Sequence, residues 1–211
     1  MIRDFQMGRG GRQVHLGHWD ALDGLSVGAV SPHAFARAQT RLEECLLELA
    51  RIESGHEVLD VGCGFGGTLQ RIDNLVGRVT SIGLNIDVRQ LRICAQLRAT
   101  PSNRLHWTCG DAGALPLRSS TFDRVLCVEA MPHFRSRRRF LKECARVLRP
   151  HGMLTVSDIL VHRGAGDHLG MSDQHLAEQF DLGLGPWPAP FGSVEDVVDL
   201  AERCGFAVES Y

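Results

Sequence analysis

Five short apolar runs in this chain each end on residues with chemistry to offer. Asp60-Val61-Gly62 closes the first, Leu84-Asn85-Ile86 the second and Gly110-Asp111-Ala112 the third, while Glu129-Ala130 and Asp158 close the fourth and fifth. Glycine recurs at positions 62, 64 and 66, immediately after the first run. Glycines there let the backbone adopt positive φ or approach a ligand closely, and the free N–H groups at the start of a following helix receive an anionic group. The spacing is not the Gly-x-Gly-x-x-Gly of dinucleotide sites. A carboxylate such as Asp60 at a strand end suits an ammonium or sulfonium better than a pyrophosphate.

The elements that would carry these groups alternate. Val58 to Val61, Val79 to Leu84, Leu105 to Cys109, Phe122 to Val128 and Met153 to Val156 read as buried strands. Between them lie a helix with Leu69, Ile72, Leu75 and Val76 on one stripe, a helix over 88–99, and a helix capped by Ser136 with Phe140, Leu141, Cys144, Ala145 and Leu148. Ser31-Pro32 opens an earlier helix in the N-cap and N1 manner, with Phe35, Ala38, Leu42, Cys45, Leu46 and Leu49 as its apolar positions. Ser193-Val194-Glu195-Asp196 opens the last helix as a capping box. A short strand is expected over 207–211, and Arg149 to Gly152 as a turn. Alternating strand and helix implies a parallel sheet covered on both faces. In such sheets ligands lie in the crevice outside the strands' carboxyl ends, where the five sets of residues above would meet.

The chain divides into a leader over 1–30 and a single domain over 31–211, with an insertion at about 160–192 that breaks the alternation. His15-Leu16-Gly17-His18-Trp19-Asp20 in the leader reads either as a lid over the ligand or as an anchor onto the domain. At 211 residues and 44% apolar content the chain can bury a sizeable core, and a net charge of -2 gives no general attraction for nucleic acid. No run approaches the roughly 20 apolar residues of a membrane span, and Met1-Ile2-Arg3-Asp4 does not open a signal peptide. Seven cysteines without a Cys-x-x-Cys pair read as small buried hydrophobes in a reducing cytoplasm. His162, Asp167, His168, Asp173 and His175 match no standard metal spacing, so no metal is expected.

Taken together, the blocks resemble the class I S-adenosylmethionine-dependent methyltransferases. Val58-Leu59-Asp60-Val61-Gly62-Cys63-Gly64-Phe65-Gly66 is similar to that superfamily's cofactor loop, and Gly110-Asp111-Ala112 with Leu115-Pro116 and Phe122-Asp123 to its third- and fourth-strand blocks. Arg146-Val147-Leu148-Arg149-Pro150-His151-Gly152 is similar to its "RVLxPGG" turn, with His151 in place of a glycine. Glu129-Ala130-Met131-Pro132-His133-Phe134 and the motif at 15–20 resemble the small-molecule, natural-product-tailoring members. The resemblance implies an α/β, Rossmann-like, doubly wound and mostly parallel sheet. The family's sheet ends in an antiparallel strand pair, and up to Tyr211 there is room for only the first of that pair.

The resemblance also assigns roles. Gly62, Gly64 and Gly66 would lie along the methionine part of S-adenosylmethionine (S-adenosylhomocysteine after transfer), with Asp60 helping to hold its ammonium. Asn85, where the family most often has Asp or Glu, and Gln90 would meet the ribose. Ile86 would pack on the adenine face, and Asp111 with Ala112 would read its edge. His15 and Trp19 would cover the methionine end, and Glu129 joins the cofactor-binding set. His133 is the candidate base for a hydroxyl acceptor, since histidine titrates near neutral pH, and Asp158 would orient it or bind the acceptor. The acceptor implied is a small molecule, partly hydrophobic because Leu182, Leu184, Trp187 and Phe191 furnish an apolar cover. N- or C-methylation, a lipid acceptor, and a non-catalytic module of a larger assembly are the alternatives. A nucleic-acid substrate is disfavoured by the lack of Asn/Asp-Pro-Pro-Tyr after the fourth strand. A homodimer is compatible with this reading.

Overall fold

The computed structural model describes residues 6–7, 11–13, 15–19, 31–188 and 190–209. Its centre is a sheet of five parallel strands in the order β3-β2-β1-β4-β5. The strands are β1 (Glu57–Val61), β2 (Thr80–Asn85), β3 (Arg104–Cys109), β4 (Phe122–Val128) and β5 (Leu148–Ser157). The helices are α1 (Pro32–Ala50), α2 (Gly67–Leu75), α3 (Val88–Cys94), α4 (Arg137–Val147), α5 (Ala165–His168), α6 (Asp173–Leu184) and α7 (Val194–Arg203).

Side-chain alternation along β1 divides the core. Val58 packs with Leu69 and Ile72 of α2 and Ala50 of α1, whereas Leu59 and Val61 pack with Phe140, Leu141 and Cys144 of α4 on the other face. Strands buried on both faces are what a parallel sheet between helix layers requires. Because β1 lies between β2 and β4, the reversal of strand order falls at its carboxyl end, and that is where the crevice opens.

Several boundaries differ from those read in the sequence. The buried face of α1 is Ala34, Ala38, Glu43, Leu46 and Ala50, whereas Phe35, Cys45 and Leu49 are exposed. Small side chains on that face let the leader approach the helix backbone. Leu75 of α2 faces solvent. Helix α3 stops at Cys94 rather than reaching 99, because the chain turns to bring the Thr100 N–H to the Asp73 carboxylate at 2.9 and 3.2 Å. Residues 149–152 form an irregularity within β5: Phe122 pairs with Leu148 and Arg124 with Met153, so five residues of β5 span two of β4. His151 sits there at φ 65°, a left-handed conformation that explains why a glycine suits this turn. Residues 206–209 form no strand, and 210–211 lie outside the described residues, as do 20–30 of the expected leader.

The insertion is closed at its base by a parallel bridge between Val161 and Phe191, with Val161 N–H donating to the Pro190 carbonyl and Gly192 N–H to the Val161 carbonyl. Helix α7 has the expected capping box, Ser193 with Asp196.

Candidate active site

The loop after β1 hangs from β2: the N–H groups of Gly62 and Cys63 both donate to the Leu84 carbonyl, at 2.8 and 3.1 Å. Gly62, Gly64 and Gly66 all hold positive φ. At Gly62 the requirement is twofold, since φ is 83° and an added Cβ would lie 2.4 Å from the Ala130 Cβ. Gly66 then caps α2 without any side-chain acceptor for the first-turn N–H groups, leaving them toward the crevice as donors.

Asp60 ends β1 at 2% exposure, and its Oδ1 has no hydrogen-bond partner. Burial first, and then the nearby Glu43 carboxylate, push its pKa from 3.8 up to about 7. An unpartnered buried polar atom costs about 1–3 kcal/mol, more when charged. Asp60 lines a small cleft with Arg12, Gln13, His15, Gly62 and Thr68. An incoming ammonium would complete this carboxylate, so the residues present fit the amino-acid end of S-adenosylmethionine.

The leader lies over this cleft. Gln39 of α1 donates to the carbonyls of Gln13 and His15, at 3.2 and 2.7 Å, and His18 N–H donates to the Ala38 carbonyl. Gly17, at φ 91°, brings the backbones together so closely that a Cβ would lie 2.5 Å from the Ala38 carbonyl carbon. Leu16 N–H donates to Glu129 Oε2 at 2.5 Å. Burial raises the pKa of Glu129 despite this bond and the neighbouring His15. His15 and Trp19 therefore part company. His15 is buried at the cleft, whereas Trp19 donates its indole N–H to the Leu16 carbonyl and stands 6.0 Å from the Phe35 ring, anchoring the leader to α1.

Along the other half of the crevice, the Asn85 amide donates to Gln90 Oε1 at 2.9 Å and accepts from the Asp87 N–H at 3.0 Å. The two residues expected at the ribose are thus held together. Ile86 beside them is 71% exposed, an apolar surface open to a flat ligand. Asp111 is exposed, with Oδ1 accepting from the Gly113 N–H, and Ala112 is buried.

His133 ends a 3-10 turn over Met131–His133. Its Nδ1 lies 3.0 Å from the Pro186 carbonyl. A carbonyl only accepts, so this bond places the proton on Nδ1 and leaves the Nε2 lone pair available in the neutral ring. The cover supplies aromatic company: the Trp187 ring is 6.3 Å from His133 and 4.8 Å from Phe180. Leu182, expected in the cover's apolar face, is 81% exposed. Asp158 is not brought to His133. It accepts from Arg137 Nε at 3.0 Å and from the Ile159 N–H at 2.9 Å, because the first turn of α4 stands over the end of β5. Asp173 is likewise occupied, accepting from the N–H groups of Gly164 and Gly166. No cluster of three potential metal ligands occurs among the described residues.

Two residues escaped the sequence reading. Arg137 was hidden in the run Arg135-Ser136-Arg137-Arg138-Arg139, which gave no cue as to which arginine turns inward. Glu43, 1% exposed on α1, lies on the helix face of Ala38 and Leu46, and a carboxylate at that spacing was the available signal.

The strand order, the glycine loop and the crevice define a Rossmann-like fold of the class I methyltransferase type. Residues 59–156 match the family described as "Methyltransferase domain". The chain is 35% identical over 156 residues to "Methyltransferase GfsG" of Streptomyces halstedii, covering 73% of this chain and 53% of the relative. It is 33% identical over 155 residues to "Erythromycin 3''-O-methyltransferase" of Saccharopolyspora erythraea, covering 71% and 47%. It thus spans about half the length of these relatives. The crystal structure of the [4+2]-cyclase SpnF shares the fold, with a TM-score of 0.73 at 22% identity, covering 97% of this chain and 67% of that one. No helix among the described residues is long and apolar enough to cross a membrane.

Proposed function

We propose that this protein transfers a methyl group from S-adenosylmethionine to a hydroxyl of a polyketide, peptide or sugar-type natural product. The cofactor, when bound, supplies a methyl already activated on a positively charged sulfur. Asp60 receives its ammonium, and the glycine loop and α2 N-terminus border its carboxylate. Asn85 and Gln90 meet the ribose hydroxyls, Ile86 covers an adenine face, and Asp111 with Ala112 read the adenine edge. His15 closes the amino-acid end, with Trp19 and Glu129 holding the leader that carries it.

The observation that carries the hydroxyl reading is the His133 ring. Its Nδ1 contact with the Pro186 carbonyl leaves Nε2 to accept the hydroxyl proton. Phe180 and Trp187 beside it favour an acceptor with an apolar face. Asp158, neutralised by Arg137, belongs to the wall of the acceptor site. A relative named as an O-methyltransferase of erythromycin supports an oxygen acceptor of natural-product type.

The experiment is transfer of labelled methyl from S-adenosylmethionine to a panel of hydroxylated polyketides, peptides and glycosides, with His133→Ala as the comparison. Turnover should fall about 10²–10⁴-fold in the variant, with S-adenosylhomocysteine affinity unchanged. Undiminished turnover would remove His133 as the base and move the reading to an amine or carbon acceptor. No transfer to any acceptor would sink it.

A further inference from the structure

Three ionisable side chains from three separate segments meet beneath the leader: His15, Glu43 of α1 and Asp60 of β1, at 5%, 1% and 2% exposure. Both ring nitrogens of His15, Glu43 Oε1 and Asp60 Oδ1 have no hydrogen-bond partner. The nearest approach between Glu43 and His15, Oε1 to Nε2, is 3.8 Å, too long for a hydrogen bond. Buried polar atoms are almost always paired, so four orphaned atoms in one cluster mark a place prepared for something else. His15 and Asp60 line the cleft, whereas Glu43 stands behind them on a helix face otherwise made of Ala34, Ala38, Leu46 and Ala50. An alanine or leucine would fill that face without desolvating a carboxylate. The methyltransferase match begins at residue 59 and does not include Glu43.

We infer that Glu43 is a positioning residue for the cofactor's amino-acid end: paired with Asp60 it makes the cleft selective for an ammonium and couples the arrival of that ammonium to release of a proton. The inference rests on the proposed use of S-adenosylmethionine. Buried, and with the Glu43 carboxylate behind it, Asp60 retains a proton that it would not keep in water. The balance is simple. Protonated Asp60 takes up the ammonium cation, its carboxyl O–H bond breaks, the electron pair stays on oxygen, and the proton leaves to solvent. The charged or titratable groups facing Asp60 are Glu43 from α1, Arg12 and His15 from the leader, and the thiols of Cys63, Cys94 and Cys127. Cys63 and Cys127 are pushed well above their ordinary value, Cys63 first by its bond with Cys94 and Cys127 by burial, so neither supplies that proton. Cys94 is drawn down by the same bond, so a Cys94→Ala control separates its proton from that of Asp60.

The test is calorimetric titration of the full chain with two probes, S-adenosylhomocysteine and 5′-methylthioadenosine, which lacks the amino-acid end. Running it in buffers of different ionisation enthalpy counts the protons released. Wild type should release part of a proton on binding S-adenosylhomocysteine near pH 6.5, none above about pH 8.5, and none at either pH with methylthioadenosine. Glu43→Gln should lower the pH at which release occurs. At pH 8.5 it should weaken S-adenosylhomocysteine about tenfold, as loss of one buried partner charge implies, and leave methylthioadenosine within about twofold. Equal affinities and equal proton counts in variant and wild type would overturn the inference, as would parallel loss of both probes. If wild type binds neither probe, the proposed cofactor use fails instead. Should Glu43→Gln not fold, Asp60→Asn takes its place: proton release that persists in it overturns the inference, and release that is abolished upholds it.

Discussion

Leu16 and Glu129, 113 residues apart in sequence, are joined by a hydrogen bond of 2.5 Å from the leader's backbone N–H to a carboxylate at the end of β4. That contact, with the Gln39 bonds to the same segment, decides that the leader lies over the cleft rather than beside it. It also places His15 against Asp60, two residues that the sequence separates by a whole helix.

Glu129→Gln replaces a charge-assisted acceptor with a neutral one and should loosen the leader. Amide hydrogen exchange at Leu16 should quicken about tenfold, and S-adenosylhomocysteine affinity should fall several-fold. Because burial raises the Glu129 pKa, the wild-type protection at Leu16 should also fade as pH falls through that raised value. Unchanged exchange at Leu16 in the variant would show that the contacts with α1 hold the segment without Glu129.

Asp60 should make the unliganded protein less stable as pH rises. In the unfolded chain the group ionises near 3.8, whereas in the folded chain it ionises near 7. Between these values the folded state holds a proton that the unfolded state has lost, so its contribution is complete below pH 4 and gone above pH 7. Asp123 and Glu143 are held below their ordinary values against a burial penalty, Asp123 by the Glu57 N–H and Arg149, Glu143 by Arg146. They have the opposite sign and act only at more acid pH. Urea titrations of Asp60→Asn should therefore lack a decline on the order of 1–4 kcal/mol that wild type shows between pH 5 and pH 8. Parallel curves for the two proteins would refute the assignment.

Gly62→Ala forces a Cβ to within 2.4 Å of the Ala130 Cβ at a φ of 83°. The expected cost is about 2–4 kcal/mol, combining left-handed strain with overpacking. Adding Ala130→Gly should recover the packing part and leave the backbone part, which denaturant midpoints of the single and double variants would separate. Full recovery would mean that φ at this position is not strained.

The sheet was legible because its strands are apolar runs bounded by turn residues, and each of the five formed within a few residues of expectation at its start or end. The positions of Asp60, Asn85 and Asp111 were legible for the same reason, since strand ends fix where they stand. What sequence could not supply was pairing across elements. Nothing local to Asp158 says that Arg137 reaches it before His133 can, and nothing local to Glu43 distinguishes it from the exposed Glu44 beside it. The apolar positions of α1 misled because Phe35 and Leu49 look like core, yet the leader needs the alanine face.

The central claim is that the crevice at the end of β1 receives S-adenosylmethionine, and calorimetric titration of the wild-type chain with that molecule tests it most directly. The account predicts saturable one-to-one binding with a Kd in the micromolar range, about -8 kcal/mol, abolished by Asp111→Ala together with Gly62→Val. The absence of binding at millimolar ligand, or displacement by a nicotinamide dinucleotide, would contradict it.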